Sequence, residues 1–263
     1  MLDSLGTRRD IAARENSADP GWRVADSHLA NRARRIAGMR DAREPVAAAP
    51  LGGRTKRCLD LLLSLSLLPA LAIVALPVAL VIWLGGGKPI YWHLRVGWNG
   101  RLFRCYKFRT MIAHADAALE TLLRENPEAR QQWLERHKIE SDPRVTPTGW
   151  FLRKTNLDEI PQIWNVLRGE MSWVGPRPVV PEELCRYGTD LSAYLACRPG
   201  VTGPWQVSRR GHTPYSERVR LDVDYKENWS VARDLAILFL TIPRIYAANV
   251  RSEKCTASVR PSP

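Results

Sequence analysis

Between Leu61 and Leu84 the only polar side chains are Ser64 and Ser66. A straight helix over that stretch would run about 36 Å at roughly 1.5 Å per residue, enough to cross a bilayer. Two features complicate a simple crossing. Pro69 and Pro77 lie inside the run, and each removes a helical hydrogen bond and bends the axis. Cations also stand at both ends: Arg54, Lys56 and Arg57 before the run, and Lys88, Arg95, Arg101 and Arg104 after it. Such flanks stay on the cytoplasmic side of a membrane, and one straight spanning helix cannot keep both there. The pattern predicts a re-entrant helix–break–helix over 57–84. The break falls at Pro69, where Ser64 and Ser66 would bond the freed backbone groups. A spanning helix and a buried soluble helix are the alternatives. Trp83 near the end of the run and Trp92 and Trp98 just after it stand as interfacial anchors or as core packing.

Further along, Val96-Gly97-Trp98-Asn99-Gly100 sets an Asn-Gly turn between extended, apolar-rich flanks and predicts a short hairpin. Gly85-Gly86-Gly87-Lys88 lacks the full spacing of a phosphate loop and reads as a connector. Residues 113–138 predict two helices divided at Pro127. Leu157, Ile160, Trp164 and Leu167 recur at three and four, so they predict one helical face, with Asp158, Glu159 and Gln162 off it. Adjacent carboxylates on a helix stand about 100° apart, so two such groups can hold different roles. Ser230 predicts the cap of a helix running toward Ile245. Its nearly apolar stretch from Leu235 to Ile242 suits a core or a membrane surface. The fold class expected is α-rich mixed α/β: a re-entrant membrane helix, a small cytosolic helical domain, a short hairpin and surface helices. Residues 1–53 are poor in large apolar side chains and lack the apolar region of a secretory signal, so a flexible tail is expected there. A single domain would cover 54–250, with 85–250 as its cytosolic part, and a second tail 251–263.

Charge narrows the partners. Among 263 residues, 39 Lys and Arg stand against 27 Asp and Glu, a formal net charge of +12. That surplus favours nucleic acid, anionic lipid or phosphorylated substrates. The lipid-type apolar run and the lack of a recognised reading motif weigh against nucleic acid. Five cysteines without C-x-x-C spacing and scattered histidines argue against a disulfide framework or a zinc site. An Asp-Glu pair alone is most often a solvated face. Arg153 precedes the pair by about a turn, and Arg177 sits in the rigid Gly175-Pro176-Arg177-Pro178 turn, a setting suited to bidentate phosphate contacts.

Several segments are then seen to follow a family order. Lys56-Arg57-Cys58-Leu59-Asp60 precedes the apolar run. Arg95-Val96-Gly97-Trp98-Asn99-Gly100, Phe103 and Lys107-Phe108-Arg109-Thr110-Met111 follow it. Asp142-Pro143-Arg144-Val145-Thr146-Pro147, Leu157-Asp158-Glu159-Ile160-Pro161-Gln162, Gly175-Pro176-Arg177-Pro178 and Pro199-Gly200-Val201-Thr202-Gly203 complete the set. The chain resembles the bacterial sugar transferase family, the monotopic phosphoglycosyl transferases. Pro204-Trp205-Gln206-Val207-Ser208 and the Asp224-Tyr225 to Trp229 stretch look most like its exopolysaccharide-initiating hexose-phosphate transferases. Two positions depart from the pattern. His93-Leu94 stand where the family often has Gln-Glu, and Leu68-Pro69 where the helix break is usually Ser-Pro.

The resemblance implies transfer of a hexose-1-phosphate, glucose or galactose, from a UDP-sugar to undecaprenyl phosphate, with UMP released. It implies Asp158 as nucleophile and Glu159 as ligand of Mg²⁺. Lys107, Arg109, Arg153 and Arg177 would meet phosphate oxygens. The expected place is the bacterial inner membrane, with the catalytic part facing the cytoplasm and no nucleic-acid partner. A homo-oligomer is compatible with the sequence, which does not fix the stoichiometry. The alternative is a non-catalytic membrane scaffold that recruits glycan-assembly enzymes.

Overall fold

The computed structural model describes residues 48–136, 139, 142–208 and 214–243. Apart from residues 48–53, the expected N-terminal tail lies outside the described residues, as does the expected tail 251–263.

Helix α1 runs from Gly53 to Leu84, 32 residues with Pro69 and Pro77 inside it. It starts before the predicted position 57, and two of the basic residues there, Lys56 and Arg57, are held by the protein. Lys56 is buried in an ion pair with Asp234, and its Nζ donates to Tyr225 Oη at 3.0 Å. Arg57 donates to the Val166 and Leu167 carbonyls. One turn on, Asp60 Oδ1 accepts from Ser172 Oγ at 2.8 Å and from Trp173 N at 3.0 Å. Ser64 Oγ accepts from Trp173 Nε1 at 2.9 Å. The far end packs as well: Ala75, Val78, Ala79 and Ile82 join Phe108, Leu152, Leu157 and Ile160 in one apolar cluster. Between these attachments the helix stands clear, with Leu65, Ser66, Leu68, Pro69 and Ala70 exposed.

The helical assignment passes through Pro69 without interruption, so the predicted break is not a gap in secondary structure. The carbonyl that Pro69 leaves without its usual donor is that of Leu65, four residues back. The serines do not serve that carbonyl, contrary to expectation. Ser64 Oγ donates to the Asp60 carbonyl and Ser66 Oγ to that of Leu63.

After the connector come β1 (Ile90–Val96) and β2 (Leu102–Phe108), paired antiparallel with Val96 opposite Leu102 and Ile90 opposite Phe108. The predicted hairpin is present. Its turn takes Asn99 and Gly100 to φ 56° and 75°, the left-handed values that Asn and Gly tolerate best. Helices α2 (Ala115–Glu125) and α3 (Pro127–Arg136) divide at Pro127, as predicted. Helix α4 (Pro147–Thr155) is capped by Thr146, whose Oγ1 accepts from Gly149 N at 2.9 Å. Helix α5 (Gln162–Arg168) leads into β3 (Ser172–Val174), which pairs in parallel with β4 (Gly200–Thr202). Short helices α6 (Leu191–Leu195) and α7 (Pro204–Ser208) flank β4, and α8 (Tyr215–Glu227) packs on both. Ser230 caps the following helix, as predicted, with Oγ accepting from Arg233 N at 3.1 Å. That helix is described over 231–243.

The two glycine-bearing motifs of the C-terminal third meet backbone to backbone. A Cβ on Gly200 would fall 2.1 Å from Gly175 N, and one on Gly203 would fall 2.0 Å from Gly175 O. No side chain fits between them, which is why the Gly-Pro-Arg-Pro turn and the Pro-Gly-Val-Thr-Gly segment can cross here. Among the described residues the largest apolar cluster joins Val96, Val179, Leu184, Tyr187, Tyr194, Leu195 and Val219.

Candidate active site

Helix α4 ends on Asn156 at φ 57° and ψ 16°, a left-handed residue that reverses the chain. A 3₁₀ turn, Leu157–Glu159, follows at once. Sequence periodicity joins this turn and α5 into one helix with Leu157, Ile160, Trp164 and Leu167 on one face. That reading is corrected. A 3₁₀ turn advances about 120° per residue where an α-helix advances about 100°, and α5 starts afresh after Pro161. Leu157 and Ile160 do pack inward. In α5 the buried residues are Gln162, Ile163, Asn165 and Val166, while Trp164 is 55% exposed.

The carboxylates of Asp158 and Glu159 converge instead of diverging. Lys107, from β2, donates to Glu159 Oε1 at 2.6 Å, and its Nζ lies 3.8 Å from Asp158 Oδ2. Asp158 is only 8% exposed. Burial raises its pKa, Lys107 pulls it down, Glu159 pushes it up and Arg153 pulls it down; the net direction is upward. A desolvated carboxylate is a stronger base and a less hydrated nucleophile than one in water. The neighbouring thiol is no rival. Burial pushes Cys105 up to about 11, against the pull of Lys107, Arg95 and Arg177, so it stays protonated at neutral pH.

The predicted cations divide. Lys107 meets both carboxylates. Arg153 is close enough for its charge to act on Asp158, and its Nε donates to Thr110 Oγ1 at 2.9 Å. Arg177 has an exposed side chain whose field reaches Cys105 together with those of Lys107, Arg95 and Glu159. Its carbonyl accepts from Arg218 Nη2 at 3.0 Å, which holds the turn. Arg109 donates to the Lys88 carbonyl at 3.0 Å. No hydrogen bond or ion pair among the described residues brings it to the carboxylates.

The donor set suits a hard cation that is partly held by substrate. Two carboxylates already face one positive centre, the Lys107 ammonium. Among the described residues no group of three or more His, Cys, Asp and Glu is placed to cage a metal. Mg²⁺ commonly takes one or two carboxylates and completes its shell with phosphate and water, so the pair fits that ion.

Lys107, Asp158 and Arg177 come from three motifs spread over the same stretch that known proteins share with this chain. The profile of the bacterial sugar transferase family matches residues 52–248. The chain belongs to the bacterial sugar transferase family. It is 51% identical over 191 residues to a UDP-galactose-lipid carrier transferase of Erwinia amylovora, covering 71% of this chain and 39% of that protein. It is 47% identical over 203 residues to the exopolysaccharide production protein ExoY of Rhizobium meliloti, covering 77% of this chain and 90% of that one. An undecaprenyl-phosphate galactose phosphotransferase of Salmonella typhimurium is 47% identical over 190 residues, covering 71% and 39%. The chain thus spans well under half of two of these relatives and nearly the full length of the third.

Sequence reasoning missed two residues of this candidate site. Asn165 is fully buried and bonds the strand that carries Lys107. Its signal was the one polar side chain inside the otherwise apolar Ile163-Trp164-Asn165-Val166-Leu167, where a buried polar group must have partners. Arg218, buried on α8, holds the Arg177 turn. Nothing local in the sequence distinguishes it from its exposed neighbour Arg220.

Proposed function

We propose that this protein transfers a hexose-1-phosphate from a UDP-sugar to undecaprenyl phosphate and releases UMP, as a membrane step that starts a polysaccharide. The observation that carries the reading is the desolvated Asp158 carboxylate, set beside Glu159 and facing Lys107. Two of the relatives are named for galactose transfer to a lipid carrier, and the third for exopolysaccharide production.

In the first step Asp158 attacks the sugar-bearing phosphorus. A phosphorus–oxygen bond forms to the carboxylate and the bond to UMP breaks. In the second, a phosphate oxygen of the polyprenyl phosphate attacks the same phosphorus, and the Asp158 carboxylate leaves. Dividing one displacement in two lets each proceed within a single fixed site. The phosphoryl group carries negative charge throughout, so positioned cations supply most of the catalysis. Lys107, Arg153 and Arg177 neutralise phosphate oxygens. Glu159, with Asp158 beside it, would hold Mg²⁺, which neutralises phosphate charge when bound.

The same reading includes a re-entrant α1. Its two ends attach to one folded body, through Lys56, Arg57 and Asp60 at the start and Ala75 to Ile82 at the finish. The exposed stretch between them includes Pro69. A helix that leaves a body, runs uncovered and returns suits a hydrophobic hairpin dipped into one leaflet. Leu235, Phe239, Leu240 and Ile242 on the last described helix are exposed too and suit the same lipid surface. The catalytic part then faces the cytoplasm, where UDP-sugars are made.

The test is UMP release from UDP-galactose, then UDP-glucose, by the full chain in lipid nanodiscs with undecaprenyl phosphate. Asp158→Asn should abolish release and Glu159→Gln should reduce it severely. Turnover near the wild-type rate with Asp158→Asn sinks the nucleophile assignment. Absence of UMP from every UDP-sugar, with the chain still bound to membranes, favours the scaffold.

A further inference from the structure

Asn165 is the one 0% exposed polar side chain of α5, and its carboxamide is used on both sides. Oδ1 accepts from Tyr106 N at 3.0 Å. Nδ2 donates to the Arg104 carbonyl at 2.7 Å and to Glu170 Oε2 at 2.6 Å. Both amide hydrogens therefore have partners. The main chain of the same residue holds the turn beyond α5, its carbonyl accepting from Glu170 N at 3.0 Å and Met171 N at 3.2 Å.

The two β2 groups involved are the backbone carbonyl and N–H on either side of Cys105. Among the described residues the hairpin sheet has two strands, so β2 has an edge that β1 does not cover, and unpaired groups on such an edge need other partners. Asn165 supplies what a third strand would. Lys107 is the residue after Tyr106. On the other side, Asp158 and Glu159 lead into α5 through Ile160 and Pro161, both in the helical region. One side chain therefore sets the register between the strand that carries the lysine and the segment that carries its two carboxylates.

We propose that Asn165 is a positioning residue of the transfer reaction, locking β2 to α5 so that Lys107 stays against Asp158 and Glu159. The inference rests on Asp158 being the nucleophile. The partners of the Asn165 side chain are protein groups, so it acts through Lys107. Without the carboxamide, water takes over the Arg104 carbonyl and the Tyr106 N–H, and β2 is free to shift against α5. A displacement of about 1 Å at a reacting centre can cost about 100-fold in rate.

The experiment follows formation of the hexose-phosphate adduct by the full chain in nanodiscs. UDP-galactose or UDP-glucose is supplied without polyprenyl acceptor. Intact mass gives the amplitude and quenched flow gives the rate constant. Asn165→Ala should keep the wild-type amplitude and the wild-type half-saturating UDP-sugar, with a rate constant about 10- to 100-fold lower. In a Lys107→Met background the same change should alter the rate by no more than about twofold, because the interaction it supports is already gone. Asn165→Ser, which adds no buried charge beside Glu170, carries the same comparison if the alanine variant does not fold. A reduced amplitude with an unchanged rate constant would mark loss of folded protein and overturn the proposal. So would an equal loss in the Lys107→Met background, or failure of both variants to fold. A wild-type chain that forms no adduct sinks the nucleophile reading itself, which separates that failure from this one.

Discussion

Replacing Lys56 by Met should loosen the apolar helix from the rest of the protein. Lys56 is 4% exposed and is paired with Asp234, itself 6% exposed. Breaking a buried ion pair from one side typically costs about 3–5 kcal/mol, because the remaining charge stays buried without its counter-ion. Here the low end applies. Asp234 keeps two donors, Tyr225 Oη at 2.6 Å and Trp229 Nε1 at 3.1 Å, and a hydrogen-bonded carboxylate is less exposed to the penalty. The expected loss is therefore about 3 kcal/mol. Adding Asp234→Asn should restore much of it, since a neutral amide leaves no buried charge: its Oδ1 can accept from Trp229 Nε1 while its Nδ2 donates to Tyr225 Oη, which keeps the Val174 carbonyl as acceptor. The assay is urea unfolding of the detergent-solubilised chain, followed by tryptophan fluorescence, for wild type, both single variants and the double variant. Single and double losses that simply add would refute the reasoning. So would a Lys56→Met loss below about 1 kcal/mol, the level of an exposed pair.

Lys107→Met should lower single-turnover UMP release by about 10²–10³-fold, the usual effect of removing one preorganised charge-stabilising donor; an effect under tenfold would remove Lys107 from the catalytic set. Gly200→Ala should fail to accumulate as folded protein, because its Cβ would sit 2.1 Å from Gly175 N, a backbone atom with nowhere to move; a soluble, active alanine variant would contradict the crossing. Asp222 gives a pH signature: its pKa is pushed from 3.8 up to about 6, by burial, against the Tyr187 hydrogen bond and Arg218. A carboxyl raised in the folded state stabilises it fully below the unfolded pKa, and that contribution is lost as pH rises toward about 6. At about 1.36 kcal/mol per unit the loss is about 3 kcal/mol. The difference in urea midpoint between wild type and Asp222→Asn should thus change between pH 4 and 6 and stay flat above, and a difference independent of pH would refute it.

Those elements whose signals are local were legible in the sequence. The apolar helix, the Asn99-Gly100 turn, the division at Pro127 and the Ser230 cap each depend on a few neighbouring residues. The candidate carboxylates Asp158 and Glu159 were legible too, as chemistry, but their geometry was not. Periodicity assumes a constant advance per residue, and the 3₁₀ turn at Leu157–Glu159 breaks it. The result turned Ile163 and Val166 inward and Trp164 outward. The basic residues before α1 show a different limit. Composition cannot tell a lysine facing lipid headgroups from one paired with an aspartate. Lys56 meets Asp234, which is 178 positions away.

The segment from Leu157 to Arg168 ties the helix to the chemistry. Its start packs in the cluster that holds the far end of α1, through Leu157, Ile160 and Ile82. Its finish is bonded to the near end, through Arg57 on the Val166 and Leu167 carbonyls. Asp158 and Glu159 lie within this stretch, so both limbs of the apolar helix brace the backbone that carries them. On the proposed reading, in which α1 dips into one leaflet, its depth sets the height of the carboxylates above the membrane. A carrier phosphate sits at a fixed level, that of the headgroups, while a nucleotide sugar arrives from water. Arg57→Ala should then slow the second half-reaction, transfer to the lipid phosphate, more than the first, which needs only the soluble donor. Quenched-flow measurement of both half-reactions decides it: equal slowing of the two would mean that Arg57 serves stability alone.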